Sequence, residues 1–217
     1  MKDKICLALD MDWEYGKIID FLRSCKGGAS WVKIGYHMIY KGWAYALVEQ
    51  AFSGLGYKVF LDTKMYDIPN TVKLASAALS KQYGVDMFNV HIQGGHEMVR
   101  AAVEAKGDKK VIGITHLTSA ENLPIERIID ITQQGIQDGL DGVVCSGTNL
   151  KRIKETTGAF CVVPGIRLTA PAGDQKQIIT PKQAINDGAD LIVLGREVYA
   201  NENPQRALMA VIENIKG

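Results

Sequence analysis

At 217 residues and 47% hydrophobic content, the chain is long enough for one well-packed core and short for two, so a single domain over 1–217 is expected. Its 25 basic and 24 acidic residues leave a formal charge of +1, which excludes a broad field that would gather nucleic acid or an anionic membrane. An anionic ligand must therefore be held locally.

The N-terminus, Met1-Lys2-Asp3-Lys4, leads into a short apolar run with no signal-peptide core, and no stretch approaches the ~20 apolar residues of a membrane span. A cytoplasmic protein is expected. Cys6, Cys25, Cys145 and Cys161 are widely spaced and form no CxxC pair, which predicts reduced thiols and no metal site.

In chain order, the strand candidates are Ile5–Asp10, Trp31–Gly35, Lys58–Asp62, Met87–His91, Val111–Thr115, Gly142–Ser146, Cys161–Gly165 and Leu191–Gly195. Each gap holds a segment long enough for one helix. This alternation predicts parallel strands with helical crossovers, and eight strands predict a closed (β/α)8 TIM barrel. Such barrels typically take about 250 residues, so this one has little room for insertions. An open doubly wound sheet is the alternative, but no GxGxxG follows the first strand. Asn70-Thr71 offers a cap for a helix running toward Gly84, while Thr180-Pro181 and Asn203-Pro204 pair a cap with a first-turn proline. The stripe from Leu208 to Ile215 is expected to cover the barrel's outside.

In this fold the strands' C-terminal ends form one rim. Here they carry Asp10, Lys33, Asp62, His91, Thr115, Ser146, Pro164-Gly165 and Gly195-Arg196. After the third strand, Asp62, Lys64 and Asp67 crowd into six positions. In extended geometry Asp62 and Lys64 point the same way, while Asp67 follows a turn and can approach from another side or from a second subunit. The plain reading is an ion pair that pins the turn. Against it, a buried pair seldom gains net stability and a second carboxylate adds repulsion unless two cations balance it. Lys33 is the obvious second cation. The loops after the seventh and eighth strands, Pro164-Gly165-Ile166-Arg167 and Leu194-Gly195-Arg196, stand where such barrels often bind phosphate. The patternless stretch between them, with Ala170 to Gln175, reads as a mobile lid. His91 reads as a hydrogen-bonded rim histidine. Trp13, Trp31 and Trp43 read as packing residues, not a stacking platform.

Asp62-Thr63-Lys64-Met65-Tyr66-Asp67-Ile68-Pro69-Asn70-Thr71 fits the pattern D-x-K-x-x-D-I-P-N-T, and with it the chain resembles the orotidine 5′-phosphate decarboxylase family along nearly its whole length. Further matches are Leu7-Ala8-Leu9-Asp10, Val32-Lys33-Ile34-Gly35, Leu117-Thr118-Ser119, Asp141 to Ser146, Pro164 to Arg167, Gly173-Asp174-Gln175 and Gly195-Arg196. The departures are His116, where an apolar residue is more usual, and a short segment between Arg167 and Gly173.

The resemblance implies conversion of orotidine 5′-monophosphate to uridine 5′-monophosphate and carbon dioxide, with no metal, thiamine or pyridoxal cofactor. By the same resemblance Lys64 protonates C6 of the pyrimidine, Asp62 sits beside the substrate carboxylate, and Asp67 and Thr71 are donated across a homodimer interface. Asp10 and Lys33 hold ribose hydroxyls, Thr118 and Ser119 meet the pyrimidine edge, and Ile68 and Pro69 pack near the base. Pro164, Arg167, Gln175, Gly195 and Arg196 enclose the phosphate.

Two other readings stand beside this one. The D-x-K-x-x-D barrel also resembles the magnesium-dependent 3-keto-gulonate-phosphate decarboxylases and hexulose-phosphate synthases, in which glycine is expected after the second Asp, where this chain has Ile68. Alternatively, an inactive barrel could sense a nucleotide and keep the charges for dimer stability.

Overall fold

The computed structural model describes residues 1–116, 123–168 and 179–217. Eight parallel strands close on one another in chain order: β1 (Ile5–Ala8), β2 (Trp31–Ile34), β3 (Lys58–Met65), β4 (Met87–His91), β5 (Lys110–Ile114), β6 (Gly142–Val144), β7 (Phe160–Val163) and β8 (Leu191–Leu194). This is the (β/α)8 barrel the alternation predicts. Seven strands match the expected ones to within two residues at either end. The exception is β3, which runs three residues past Asp62.

Side chains alternate across each strand, so one set points into the barrel and the other toward the helices. The inward set near the barrel floor is apolar: Cys6, Trp31, Phe60, Met87, Ile112, Val162 and Leu191 fill the interior as a separate packed cluster. The outward set, including Leu7, Val32, Val59, Phe88, Val111, Val143 and Ile192, packs beneath the helices.

Those helices are α1 (Tyr15–Ser24), α2 (Tyr36–Tyr40), α3 (Ala44–Glu49), α4 (Pro69–Ser80), α5 (His96–Ala105), α6 (Ile125–Gln137), α7 (Gly147–Thr157), α8 (Pro181–Asn186), α9 (Arg196–Tyr199) and α10 (Pro204–Lys216). Leu208, Val211, Ile212 and Ile215 of α10 are buried, as its apolar stripe requires. Thr180 and Asn203 act as caps, accepting from Gln183 N at 3.2 Å and Arg206 N at 2.9 Å. Asn70 and Thr71 do not cap α4. Pro69 occupies its first turn, where a fixed φ and a missing N–H cost nothing, so the helix begins ahead of them with Ile68 at the cap position and ends at Ser80. No helix among the described residues is long and apolar enough to cross a membrane.

One device recurs at the N-terminal rim. Gly84-Val85-Asp86, Gly139-Leu140-Asp141 and Gly188-Ala189-Asp190 each turn the chain into a strand, with glycine φ of 85°, 96° and 99°. Each aspartate reaches back to the preceding strand: Val59 N, Val111 N and Cys161 N donate to Asp86, Asp141 and Asp190 at 2.8 Å. Lys106 and Lys154 add ion pairs to the second and third, at 2.5 and 2.7 Å. The repeated Gly-x-Asp therefore locks β3, β5 and β7 into register with their neighbours.

Candidate active site

Continuing the inward alternation toward the C-terminal rim changes its chemistry. Above the apolar floor, the same faces present Asp10, Lys33, Asp62, Asn89, Ile114, His116, Pro164 and Gly195, which line one cavity of about 420 Å³. Lys64, Gly165, Arg167, Arg196, Glu197 and Tyr199 complete its wall. The floor closes the barrel and the top opens to a ligand.

At the centre is Asp62, 5% exposed. Its Oδ2 accepts from Lys33 Nζ at 2.7 Å and Lys64 Nζ at 2.6 Å, and its Oδ1 accepts from Asn89 Nδ2 at 2.7 Å. Lys33 also donates to both oxygens of Asp10, at 3.3 and 3.2 Å. The result is a chain of alternating charge, Asp10–Lys33–Asp62–Lys64. Burial disfavours the Asp62 anion, but Lys33 first and Lys64 second outweigh it and hold its carboxyl down at about 2. Burial likewise works against the Lys33 ammonium, and Asp62 and Asp10 overcome it, so its pKa is raised. With two acidic and two basic side chains, the formal charges of the array sum to zero.

Gly35 leaves space for this array. A Cβ there would lie 3.2 Å from Asp10 Oδ1 and 3.4 Å from Lys33 Nζ.

Asp62 and Lys64 meet, though not by simple alternation along an extended strand. Lys64 has φ of 44°, the one positive value among described non-glycine residues, a conformation costing roughly 1 kcal/mol or more. The β3–β4 register shifts there: Leu61 pairs with Phe88 and Met65 with Val90, so Asp62, Thr63 and Lys64 together oppose Asn89 alone. The bulge turns Lys64 inward. Tyr36 Oη donates to Lys64 O at 3.3 Å, and the ammonium lies 5.2 Å from the Tyr36 ring centroid.

Asp10, Lys33, Asp62, Lys64, Pro164, Arg167, Gly195 and Arg196 are thus brought together as expected. Asp67, Ile68 and Thr71 are not. They lie exposed outside the chain's own cavity, and Asp67 Oδ1 accepts from Ile68 N at 2.7 Å. Thr118, Ser119, Gln175 and the lid stretch lie outside the described residues.

Three expected rim positions are absent from the cavity lining. The His91 ring packs edge-on against Tyr66 with centroids 5.8 Å apart and makes no side-chain hydrogen bond among the described residues, and burial, then Lys64, lower its pKa. Thr115 Oγ1 donates to Val144 O at 3.3 Å, and Ser146 Oγ pairs with Thr148 Oγ1 at 3.0 Å. Thr115 belongs to the opposite face of its strand from Ile114 and His116, whereas His91 and Ser146 keep the parity of Asn89 and Val144 and stand one alternation beyond them, outside the cavity lining. Counting by twos from the buried Met87 reaches Asn89, at the cavity wall, one step before His91. Trp31 fills the barrel interior, while Trp13 and Trp43 pack edge-on against Phe21 and Tyr15. Among the described residues no three His, Cys, Asp or Glu side chains cluster as metal ligands would.

A second, largely apolar cavity of about 350 Å³ lies between α2, α3 and α4, lined by Ile39, Val48, Leu61, Met65 and Leu79 among others. Around this side of the molecule Tyr40, Tyr45, Tyr66, Ile68 and Leu74 are exposed.

Comparison with known proteins adds an independent observation. The model of a family described as orotidine 5′-phosphate decarboxylase / HUMPS matches residues 3–211. Among curated proteins, the chain is 40% identical to orotidine 5′-phosphate decarboxylase of Pseudoalteromonas translucida, covering 98% of this chain and 97% of that one. It is 38% identical to the enzyme of Aquifex aeolicus, covering 93% of each. Among solved structures, orotidine 5′-phosphate decarboxylase from Lactobacillus acidophilus superposes with a TM-score of 0.79 at 28% identity, covering 99% of this chain and 100% of that one.

Proposed function

The chain belongs to the orotidine 5′-phosphate decarboxylase / HUMPS family, and from that premise we propose that it converts orotidine 5′-monophosphate to uridine 5′-monophosphate and carbon dioxide, a carboxy-lyase step of pyrimidine nucleotide synthesis. The observation that carries this reading is the Asp10–Lys33–Asp62–Lys64 array in a cavity whose other wall holds Arg167 and Arg196.

In this mechanism the bond between C6 and the carboxyl carbon breaks and its electron pair stays on C6. Lys64 then delivers one N–H proton to that carbon and recovers a proton from solvent. As the substrate carboxylate becomes neutral carbon dioxide, negative charge moves toward the ammonium, so a fixed Lys64 favours the transition state over the ground state. Asp62 orients Lys64 and stands beside the departing carboxylate. None of these steps calls for a cofactor.

Arg196, Arg167, Gly195 and Pro164-Gly165 hold the phosphate, with a donor from Gln175. Asp10 and Lys33 hold the ribose, and Thr118 and Ser119 meet the pyrimidine edge. Binding energy from the phosphate, remote from C6, is available to assemble the charge array.

The reading includes a homodimer in which Asp67 and Thr71 of the partner subunit enter each cavity, with Ile68 beside the base. The exposure of Tyr66, Asp67 and Ile68, next to an apolar hollow flanked by Tyr45 and Leu74, supports it. Four buried free thiols support a reducing, cytoplasmic setting.

Incubating the purified protein with orotidine 5′-monophosphate in the presence of EDTA tests the proposal. Release of carbon dioxide with formation of uridine 5′-monophosphate is expected. Binding of the nucleotide without release contradicts it, and turnover that stops with EDTA transfers the chain to the magnesium-dependent branch.

A further inference from the structure

Asn89 makes three contacts to three consecutive residues, and they are the three that leave the regular strand. Its main-chain oxygen accepts from Thr63 Oγ1 at 2.8 Å, its Oδ1 accepts from Lys64 N at 2.7 Å, and its Nδ2 donates to Asp62 Oδ1 at 2.7 Å. Asn89 is 1% exposed, and Asp62 is nearly as well buried, so these bonds form where water offers no substitute. The ladder between β3 and β4 is interrupted there, with three residues facing one. The side-chain amide takes the place of the missing ladder bond by binding the amide of the one residue in left-handed conformation.

We infer that Asn89 is a positioning residue for the reaction: one side-chain amide holds the Lys64 backbone in its inward turn and at the same time fixes the carboxylate to which the Lys64 ammonium is clamped. The inference rests on the proposed role of Lys64 as proton donor.

The chemistry of the amide is specific to this task. The site needs an acceptor toward Lys64 N and a donor toward Asp62 Oδ1 within one short planar group, and asparagine supplies both. Aspartate has the same shape but no donor, and would set a second carboxylate 2.7 Å from Asp62. It recovers the asparagine pattern only by taking up a proton. Leucine keeps the volume and offers neither bond.

The variants Asn89→Leu and Asn89→Asp separate positioning from packing. Misplacing a reacting group by about 1 Å costs as much as 10²-fold in rate. For Asn89→Leu, kcat is expected to fall roughly 10- to 100-fold, while Kd for uridine 5′-monophosphate stays within about threefold. For Asn89→Asp, the kcat profile is expected to move toward acid, with activity rising as pH falls, because the protonated side chain again donates to Asp62. A crystal structure of either variant reads the geometry directly. Lys64 is expected to leave the left-handed region, or its Nζ to move beyond 4 Å from Asp62.

Wild-type kcat in Asn89→Leu, or a Lys64 that keeps its conformation and its 2.6 Å contact in the variant crystal, would overturn the inference. The crystallographic arm holds whatever the substrate proves to be. A wild-type protein that fails to decarboxylate orotidine 5′-monophosphate refutes the functional reading, whereas an undisturbed Lys64 in the variant refutes only the role of Asn89.

Discussion

The two rims of this barrel both carry partly or fully buried aspartates, but they hold them by different means. At the N-terminal rim Asp86, Asp141 and Asp190 each accept a backbone N–H from the neighbouring strand. At the C-terminal rim Asp62 is more deeply buried, with a side-chain exposure of 7% against 24% for Asp141 and 28% for Asp190, and its bonds come from Lys33, Lys64 and Asn89 side chains. A carboxylate tied to a strand amide cannot change partners without loosening the sheet. One tied to ammonium groups can share them with an incoming anion. Identical side chains thus serve register at one end and chemistry at the other, and substitutions at the two rims should fail in different ways.

The largest effect is expected at the charged rim. Lys33→Met leaves Asp10 and Asp62 with a single ammonium between them, and kcat/KM should fall about 10³-fold or more in steady-state kinetics, roughly 4 kcal/mol of transition-state stabilisation. At the other rim, Asp190→Ala orphans the Cys161 N–H and removes the ion-pair partner of Lys154, which keeps only its bond to Ala159 O. Urea unfolding should show a loss of about 2 kcal/mol, with kcat of the folded enzyme unchanged. A fall in kcat as large as that for Lys33→Met would erase the distinction between the rims.

The pH dependence of stability sharpens it further. The Asp62 carboxyl is held at about 2, below the unfolded value near 3.9, so its contribution is present above about pH 4 and is lost as pH falls toward 2. Over that window the wild type should lose roughly 2 kcal/mol more than Asp62→Asn, measured by chemical unfolding. The smallest effect is expected from Gly35→Ala, whose methyl would press on Asp10 and Lys33. A loss of about tenfold in kcat/KM, near 1.4 kcal/mol, with little change in stability would show that the array tolerates no displacement.

The barrel was legible because eight apolar runs separated by helix-length segments admit few other arrangements. Asp10, Lys33, Asp62 and Lys64 were legible because charge at the end of a buried strand is costly and so calls for a reason. Asn89 was not, since an uncharged amide raises no such alarm. Taking the last residue of each strand selected His91, Thr115 and Ser146, whereas the cavity takes Asn89 and Val144, one alternation earlier, and His116, on the other face from Thr115. The bulge at Lys64 carries no glycine to announce it, and its cause lies on another strand. The Gly-x-Asp repeat stood in the sequence three times, yet its meaning depends on which backbone amide each carboxylate reaches. Asp67 and Thr71 could be assigned only by resemblance, because the role proposed for them in a second subunit would leave no trace in their own chain's cavity.

The central claim is that the Lys64 ammonium, held by Asp62, meets the charge that develops on C6. Single-turnover decarboxylation of orotidine 5′-monophosphate by Lys64→Ala, alongside the Kd for uridine 5′-monophosphate on the same preparation, tests it most directly. The account predicts a rate lower by about 10⁴-fold or more with nucleotide affinity essentially retained. A Lys64→Ala enzyme that still releases carbon dioxide at a rate close to the wild type would contradict it.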